Sequence, residues 1–152
     1  MKYKCNLLST LVLLILSVSC SSGQIVVDVI DGDSLITSNG IEVRLAHIDA
    51  PEYNQPWGAE AKAFVKQMAL NHMVRLKVLG KDKYGRTLAE VILPDGRNLN
   101  QRRVMEGLAW HYRQYSNDRY YQQLEFEARA KRKGLWSYST PIAPWNWRRG
   151  VR

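Results

Sequence analysis

The sequence predicts an α+β protein, mainly a β barrel, with five short strands and three helices in the order β-β-β-α-β-β-α-α. Three observations predict this fold: a β-branched run from residue 24, a hairpin signal at Asn39-Gly40, and helical apolar spacing from Trp57. A helix between the third and fourth of five strands is typical of the OB-fold, a small Greek-key barrel. The 152 residues suffice for one domain with one hydrophobic core.

The first three strands form a predicted meander. The β-branched segment 24–30 is the first strand, and segment 34–37 resumes extended structure after a turn. Asn39-Gly40 predicts a type I′ hairpin turn, because both residues accept positive φ. Segment 41–48 returns with a period of two, so we expect one continuous strand with its odd-numbered residues on one face.

The second half of the chain supplies the remaining elements. Apolar residues recur at helical spacing from Trp57 to Met68 and predict the first helix. Alternating segments predict the fourth strand over 74–79 and the fifth strand over 87–93. Two later apolar stripes predict a helix over 99–106 and a longer helix over 118–133. Gly107 follows the second helix, where a left-handed cap suits glycine.

Residues 1–19 are predicted to be a signal peptide. A basic start precedes an apolar run over 7–18, which is too short to span a bilayer. A small residue before Cys20 is similar to a bacterial lipoprotein cleavage box, which predicts lipidation of Cys20. Ordinary cleavage near Ser19 or Ser22 is the alternative. Both readings predict export, either to a lipid-anchored place in the cell envelope or as a secreted protein.

Charge and cysteine content narrow the function classes. The chain has 22 basic and 14 acidic residues, with a net charge of +8. Such an excess favours an anionic partner, either nucleic acid or an acidic membrane surface, although solubility alone is an alternative. The second cysteine, Cys5, lies in the leader. The domain itself therefore has no disulfide, and a cysteine nucleophile or cysteine metal site is excluded.

Carboxylates cluster near the turn and the proline loop that flank the third strand. Asp33 follows a tight turn, while Asp49 and Glu52 flank Pro51. Oxygen ligands of this kind suit a hard cation such as Ca²⁺ or Mg²⁺. Because three carboxylates do not fill the shell of a Ca²⁺ ion, the remaining positions are open to water, a backbone carbonyl and a substrate phosphate. For any single aspartate, a turn or cap role is the alternative.

Two arginines accompany these carboxylates. Arg44 projects from the third strand, and Arg86 follows a turn at Tyr84-Gly85. A guanidinium presents a planar fork of donors that matches phosphate oxygens. One arginine alone is more often a surface ion pair, but two beside a carboxylate cluster are suited to stabilising charge on a phosphorus centre.

Several motifs, short individually but specific in their order and spacing, carry a family resemblance. They are Asp31-Gly32-Asp33-Ser34, Val43-Arg44-Leu45, Ile48-Asp49-Ala50-Pro51-Glu52, Asp82-Lys83-Tyr84-Gly85-Arg86-Thr87-Leu88-Ala89, Gly107-Leu108-Ala109 and Leu135-Trp136. Over about residues 25–137 the chain resembles the staphylococcal nuclease (thermonuclease) family. The resemblance implies a five-stranded OB barrel with three helices and Ca²⁺-dependent hydrolysis of DNA and RNA with low sequence specificity.

The resemblance also implies the metal site. Asp33, Asp49 and the backbone carbonyl of Ala50 match the positions that bind one Ca²⁺ ion in the family. Ser34 and Ala50 stand where the best-known member has threonine. Ser34 keeps a hydroxyl and Ala50 keeps its carbonyl, so these departures leave the expected ligands in place.

Catalytic and substrate-binding roles follow by the same resemblance. Glu52 is expected to orient or deprotonate the attacking water, while Arg44 and Arg86 bind the phosphate and stabilise the transition state. Attack expels the 5′ oxygen and yields 3′-phosphate products. Lys83 and Tyr84 match positions that contact substrate.

Further substrate contacts are predicted from the residues themselves. Tyr112 and Tyr115 are candidates for stacking on bases, with packing at the rim of the barrel as the alternative. The loop 53–56 is short and carries no lysine, unlike the longer, lysine-rich loop of the best-known family member, so substrate affinity is expected to differ.

These predictions divide the chain into a leader, a nuclease-like domain over 24–138 and a Trp/Arg-rich tail over 139–152. We expect a monomer that acts on DNA and RNA, single strands preferred, and that meets a membrane only through its lipid anchor. A non-catalytic OB module that only binds nucleic acid is the main alternative. A structural envelope lipoprotein explains the leader but not the carboxylates and arginines. The tail either packs on the domain or stacks on nucleic acid.

Overall fold

A computed structural model describes residues 23–152. The predicted signal peptide over 1–19 and the predicted lipidation of Cys20 lie outside these residues. The described part of the chain has seven strands: β1 (Gln24–Val29), β2 (Ser34–Thr37), β3 (Glu42–Leu45), β4 (Ile48–Asp49), β5 (Met73–Lys81), β6 (Thr87–Ile92) and β7 (Trp110–His111).

Five of these strands close into a barrel in the order β1-β2-β3-β6-β5. All neighbours pair antiparallel except β3 and β6, which run parallel. The barrel interior is filled by alternating apolar residues such as Val26, Leu35, Val43 and Val91, each fully buried. The predicted α+β class and five-stranded barrel are confirmed. The two remaining strands, β4 and β7, form a separate antiparallel pair beside the barrel.

The helices are α1 (Gly58–Ala69), α2 (Leu99–Met105), α3 (Arg119–Ala130) and α4 (Pro144–Trp147), with a 3₁₀ turn over Gly134–Ser137. The first three are the predicted helices, and α4 is an addition from the tail. Side chains of Asn98 and Asp118 cap α2 and α3 by accepting from backbone N–H groups. Within residues 23–152, no helix has the length and apolar character needed to cross a membrane.

The prediction of one continuous strand over 41–48 is wrong. Extended pairing of β3 ends at Leu45, because His47 has a left-handed backbone with φ 68°. β4 then begins in a new direction and pairs with β7, so the even-numbered Ala46 and Ile48 are buried. This bend carries Asp49 away from the barrel wall.

The predicted type I′ turn at Asn39-Gly40 is also wrong. Gly40 has positive φ (78°), but Asn39 is not among the residues with positive φ. The amide of Gly40 donates to the carbonyl of Thr37 at 2.8 Å, and the Asn39 side chain accepts from the Thr37 hydroxyl at 2.6 Å. These contacts are those of a three-residue hairpin loop that ends in a left-handed glycine.

Helix α1 begins one residue later than predicted, and its first residue matters for the site. Trp57 precedes the helix with φ 71°, and Gly58 lies directly beneath the carbonyl of Glu52. A Cβ at position 58 would overlap that carbonyl, so only glycine permits this approach. Likewise, the third helix ends before the predicted residue 133, because Arg132 adopts a left-handed φ of 49°.

Candidate active site

The turn between β1 and β2 places the first two carboxylates. The Asp31 carboxylate accepts from the backbone N–H of Asp33 at 2.9 Å, a contact that stabilises the turn. Asp33 in turn accepts from the N–H of Ala50 at 2.8 Å and so joins this turn to the proline loop. Gly32 makes the approach close, because a Cβ there would collide with Ala50 and Arg103.

Arg44 links the two aspartates that the sequence predicts as metal ligands. One nitrogen, Nη2, lies 3.1 Å from a carboxylate oxygen of Asp33 and 3.1 Å from one of Asp49. The other, Nη1, donates to the carbonyls of Leu45 at 2.7 Å and Ile48 at 2.9 Å. The Arg44 side chain is only 11% exposed. It therefore braces the bend after β3 as well as the carboxylates.

The proline loop after β4 carries Asp49, Ala50 and Glu52. Pairing of β4 with β7 positions Asp49 opposite Trp110. Glu52 is held through its backbone: its N–H donates to the Gln55 side chain at 3.1 Å, and its carbonyl accepts from the Gln55 N–H at 2.9 Å. The Glu52 side chain is 38% exposed, whereas that of Asp49 is 2% exposed. Glu52 is thus the carboxylate more accessible to water.

Arg86 enters the site from the hairpin between β5 and β6. Its Nε donates to Asp82 at 2.7 Å, and its Nη1 donates to the Ser34 hydroxyl at 3.3 Å. Asp82 also accepts from the N–H groups of Tyr84 and Arg86, which defines the turn. The Tyr84 ring is exposed, with the Lys83 ammonium 5.0 Å and the Arg86 guanidinium 5.6 Å from its centroid. This hairpin presents a basic and aromatic surface beside the carboxylates.

Tyr112 and Tyr115 lie close to each other, with ring centroids 4.8 Å apart. The tail covers one of them: the Trp145 ring stacks on Tyr112 with centroids 5.4 Å apart and planes 9° apart. Tyr115 is exposed. Of the two predicted stacking residues, Tyr115 therefore presents the more accessible ring.

One cavity of about 600 Å³ is lined by all ten side chains or backbone groups that the sequence predicts for metal, phosphate and substrate. They are Asp33, Arg44, Asp49, Ala50, Glu52, Lys83, Tyr84, Arg86, Tyr112 and Tyr115. Residues as far apart in sequence as Asp33 and Tyr115 thus meet in one place. The roles assigned to them stay predictions.

Sequence reasoning missed Arg148, which also lines this cavity. Its guanidinium lies 2.8 Å from a carboxylate oxygen of Asp49 and 2.6 Å from one of Glu52. Arg148 lies in the tail, beyond the motifs that carry the resemblance. The only signal for it was the basic, Trp-rich composition of residues 139–152, which does not specify a partner.

Burial and mutual repulsion raise the pKa values of two aspartates on the acidic side of the cavity. Burial, reinforced by the neighbouring Asp33 charge, raises the pKa of Asp31 to about 6. Burial also raises the pKa of Asp49 to about 6, although Arg148 and Arg44 oppose the shift. The fold therefore disfavours the ionised form of both aspartates.

Arg103 lies beneath this cluster and is fully buried. It donates to the carbonyl of Ala61, and to that of Leu108 at 2.8 Å. Burial lowers its pKa to about 10, an effect that the charges of Asp33 and Asp31 oppose. The guanidinium thus supports the acidic turn from inside the core.

The donor set suits a hard cation. The described residues contain no group of three or more His, Cys, Asp or Glu side chains placed to hold a metal by themselves. Asp33 and Asp49 nevertheless converge within reach of one guanidinium nitrogen, next to the main chain of Ala50. Two buried carboxylates with further oxygen donors nearby fit Ca²⁺ or Mg²⁺ better than Zn²⁺.

The chain is similar to known nucleases over most of its length. The family described as staphylococcal nuclease homologues matches residues 42–138. An uncharacterized endonuclease of Haemophilus influenzae is 44% identical over 128 residues, covering 82% of this chain and 71% of that protein. An uncharacterized endonuclease of Escherichia coli is 40% identical over 126 residues, covering 81% and 82% respectively.

A protein named micrococcal nuclease from Shigella flexneri is 39% identical over 140 residues, covering 84% of this chain and 80% of that protein. The match to the family covers more than half of the chain, and it includes Arg44, Asp49, Glu52 and Arg86. Together with the closed barrel and the shared cavity, these similarities show that the chain belongs to the staphylococcal nuclease family.

Proposed function

We propose that the protein is a Ca²⁺-dependent nuclease that hydrolyses phosphodiester bonds of DNA and RNA with low sequence specificity. The observation that carries the proposal is the meeting of all ten predicted site residues, acidic and basic, around one cavity. Relatives named nuclease or endonuclease support the same activity. A module that only binds nucleic acid gains nothing from buried carboxylates, because they repel phosphate.

Asp33, Asp49 and the Ala50 carbonyl are the groups that would hold one Ca²⁺ ion. When bound, the ion supplies Lewis-acid polarisation of a phosphoryl oxygen. Asp33 and Asp49 are already brought together by Arg44, so they need little rearrangement to present their oxygens. Burial raises the pKa of Asp49, so ionised Asp49 also gains from a positive charge placed beside it.

Glu52 is the proposed base, since its carboxylate is the more exposed and adjoins the buried pair. It accepts a proton from the attacking water as the new oxygen–phosphorus bond forms. The bond from phosphorus to the 5′ oxygen breaks, and that oxygen leaves with the electron pair and takes up a proton from solvent. The products are a 3′-phosphate and a 5′-hydroxyl.

Arg86 is the proposed stabiliser of charge on the transferring phosphoryl group. Asp82 engages its Nε, which leaves the Nη groups directed towards Ser34 and the cavity. Arg44 has its Nη nitrogens engaged by two carboxylates and two carbonyls. We therefore propose that Arg44 both positions the carboxylates and contributes positive charge to the phosphate site.

The surface around the cavity supports binding of unpaired strands. The rings of Tyr84 and Tyr115 are 73% and 71% exposed, and Lys83 lies beside Tyr84. Stacking on exposed rings needs bases whose faces are accessible, which favours single strands. The leader supports the further proposal that the protein is exported as a monomer, lipid-anchored at Cys20 or secreted.

The test is degradation of single-stranded DNA by the protein with Ca²⁺ or with a Ca²⁺ chelator. We expect cleavage only with Ca²⁺, and a loss of about 10²–10³ in rate for Arg86→Ala. Arg97→Ala is a matched control, because Arg97 makes the same Nε contact to Asp95 at 2.7 Å, also across a turn, but does not line the cavity.

Full activity in the chelator, or full activity of Arg86→Ala, would refute the proposed mechanism. Tight binding of DNA without cleavage under any condition would favour the non-catalytic binding module. Mapping the ends of the products distinguishes expulsion of the 5′ oxygen, which leaves 3′-phosphates, from the reverse polarity.

A further inference from the structure

The C-terminal segment 142–149 docks against the rim of the cavity, beyond the residues that match the family. Trp145 stacks on Tyr112 and meets the edge of Trp110 with centroids 5.5 Å apart. The carbonyl of Ile142 accepts from the Gln55 side chain at 2.6 Å. Gln55 also holds the backbone of the Glu52 loop. The segment is therefore fastened to the same loop that carries the carboxylates.

Docking delivers Arg148 onto two groups of the proposed Ca²⁺ and water site. Its Nη2 lies 2.8 Å from Asp49 Oδ2, and its Nη1 lies 2.6 Å from Glu52 Oε1 and 3.3 Å from Asp49 Oδ1. The fork thus spans both carboxylates. Asp49 is contacted by two guanidinium groups, since Arg44 also reaches Oδ1 at 3.1 Å.

We propose that Arg148 is a built-in competitor for the divalent cation, so that docking of segment 142–149 and cation binding oppose each other. This inference rests on the proposed function, because it concerns the same carboxylates. A cation ligated by Asp49 needs its oxygens at about 2.3–2.6 Å. Arg148 occupies those oxygens with a positive charge of its own, and two cations on one carboxylate repel each other.

The two arginines on Asp49 differ in how easily they can leave. Arg44 is 11% exposed and is tied to two main-chain carbonyls. Arg148 is 43% exposed and follows a helix of only four residues. Arg148 is therefore the one that a cation displaces, whereas Arg44 stays with the site. Thermodynamic linkage makes the two effects equal. The factor by which docked Arg148 weakens cation binding is the factor by which a bound cation weakens the docking of Arg148.

The experiment is titration of the protein with Ca²⁺ by isothermal calorimetry, without nucleic acid, for the wild type and three variants. Arg148→Ala is expected to bind Ca²⁺ about 5–150-fold more tightly than the wild type. Arg148→Lys keeps the charge but loses the fork, so it should fall between them. Arg149→Ala is the matched control, because Arg149 has the same charge but contacts Asn146 within the tail.

Equal affinities of Arg148→Ala and the wild type would overturn the competition while leaving the Ca²⁺ site intact. An equal gain in Arg149→Ala would also overturn it, since the effect would then be that of net charge. Weaker binding by Arg148→Ala would show that Arg148 organises the carboxylates for the ion, again against the proposal. If neither the wild type nor Arg148→Ala binds Ca²⁺, the proposed metal site is refuted together with the competition for it.

Discussion

Two groups of buried carboxylates in this barrel have opposite electrostatic surroundings. Glu90 on β6 accepts from Lys77 at 2.8 Å, from the Tyr121 hydroxyl at 2.7 Å and from Asn98 at 2.9 Å. Burial alone raises its pKa, but these three donors outweigh burial and lower the pKa overall. Ionised Glu90 is therefore stabilised by the fold around it.

For Asp31 and Asp49 in the cavity, burial outweighs the donors around them. Asp31 and Asp49 have pKa values raised to about 6, first by burial and also by the charge of Asp33. Arg44 must serve two carboxylates with one nitrogen. A carboxylate whose ionised form the fold stabilises, such as Glu90, contributes to structure. A carboxylate whose ionised form the fold disfavours, such as Asp49, can gain stability by binding a cation. This difference separates the site from the scaffold.

Glu52→Gln should show the largest effect and should act on activity alone. Removing the proposed base is expected to reduce the rate of cleavage about 10²–10⁴-fold, because glutamine cannot accept the proton of water. Glu52 is partly exposed, so the free energy of unfolding should change by only about 0.5 kcal/mol. Single-turnover cleavage of single-stranded DNA and urea unfolding measure the two quantities.

The matched control is Glu60→Gln, which changes an exposed glutamate in the first turn of α1, eight positions along the chain. Its rate should equal that of the wild type. Full activity of Glu52→Gln would show that Glu52 is not the base. The cavity carboxylates would then differ from Glu90 in their electrostatic surroundings but not in catalytic function.

Glu90→Ala should show the reverse pattern. It leaves the buried Tyr121 hydroxyl and the Asn98 amide without their acceptor, which is expected to cost about 2–3 kcal/mol of unfolding free energy. Activity at 25 °C should remain, because Glu90 does not line the cavity. Urea unfolding and the cleavage assay check the two parts.

Lys77→Ala sharpens this prediction, because Lys77 is 67% exposed and its ion pair with Glu90 is screened by solvent. Loss of Lys77 should therefore lower the free energy of unfolding much less than loss of Glu90 does. If Lys77→Ala destabilised the protein as much as Glu90→Ala, the ion pair rather than the buried hydrogen bonds would be the stabilising contact.

Local patterns predicted the barrel well, because its strands and turns leave short-range signals in the sequence. Alternation identified the strands, and Asp31-Gly32-Asp33 has the turn expected of it. The bend at His47 could not be predicted, since alternation continues through Ile48 and no glycine or proline marks the left-handed residue. Packing of β4 on β7 overrides the pattern there.

Arg148 escaped prediction for a different reason. Its partners Asp49 and Glu52 lie 99 and 96 residues away in sequence, and its position depends on how the tail docks. Ring stacking of Trp145 on Tyr112 contributes to that docking, and no spacing rule connects the two residues. Contacts set only by tertiary packing leave no periodic signal in the sequence.

Asp31→Asn should show the smallest effect, a gain in stability that depends on pH. The folded pKa of Asp31 is about 6, above its ordinary value of 3.8. Between these values the folded state binds more protons than the unfolded state, so stability falls as pH rises. Asparagine keeps the oxygen that accepts from Asp33 but cannot ionise. We expect a gain of about 1–2 kcal/mol above pH 6.

The sign of this change tests the contrast between the two carboxylate groups. The advantage of Asp31→Asn should shrink as pH falls from 6 towards 4, because the folded wild-type carboxyl becomes protonated and no longer carries a buried charge. Urea unfolding of Asp31→Asn and wild type at pH 4, 5, 6 and 7.5 measures it. Asp28→Asn removes the same charge from an exposed position on β1 and so corrects for net charge. A loss of stability at pH 7.5 would mean that the ionised Asp31 stabilises the fold, as Glu90 does, and that the acidic cluster is scaffold after all.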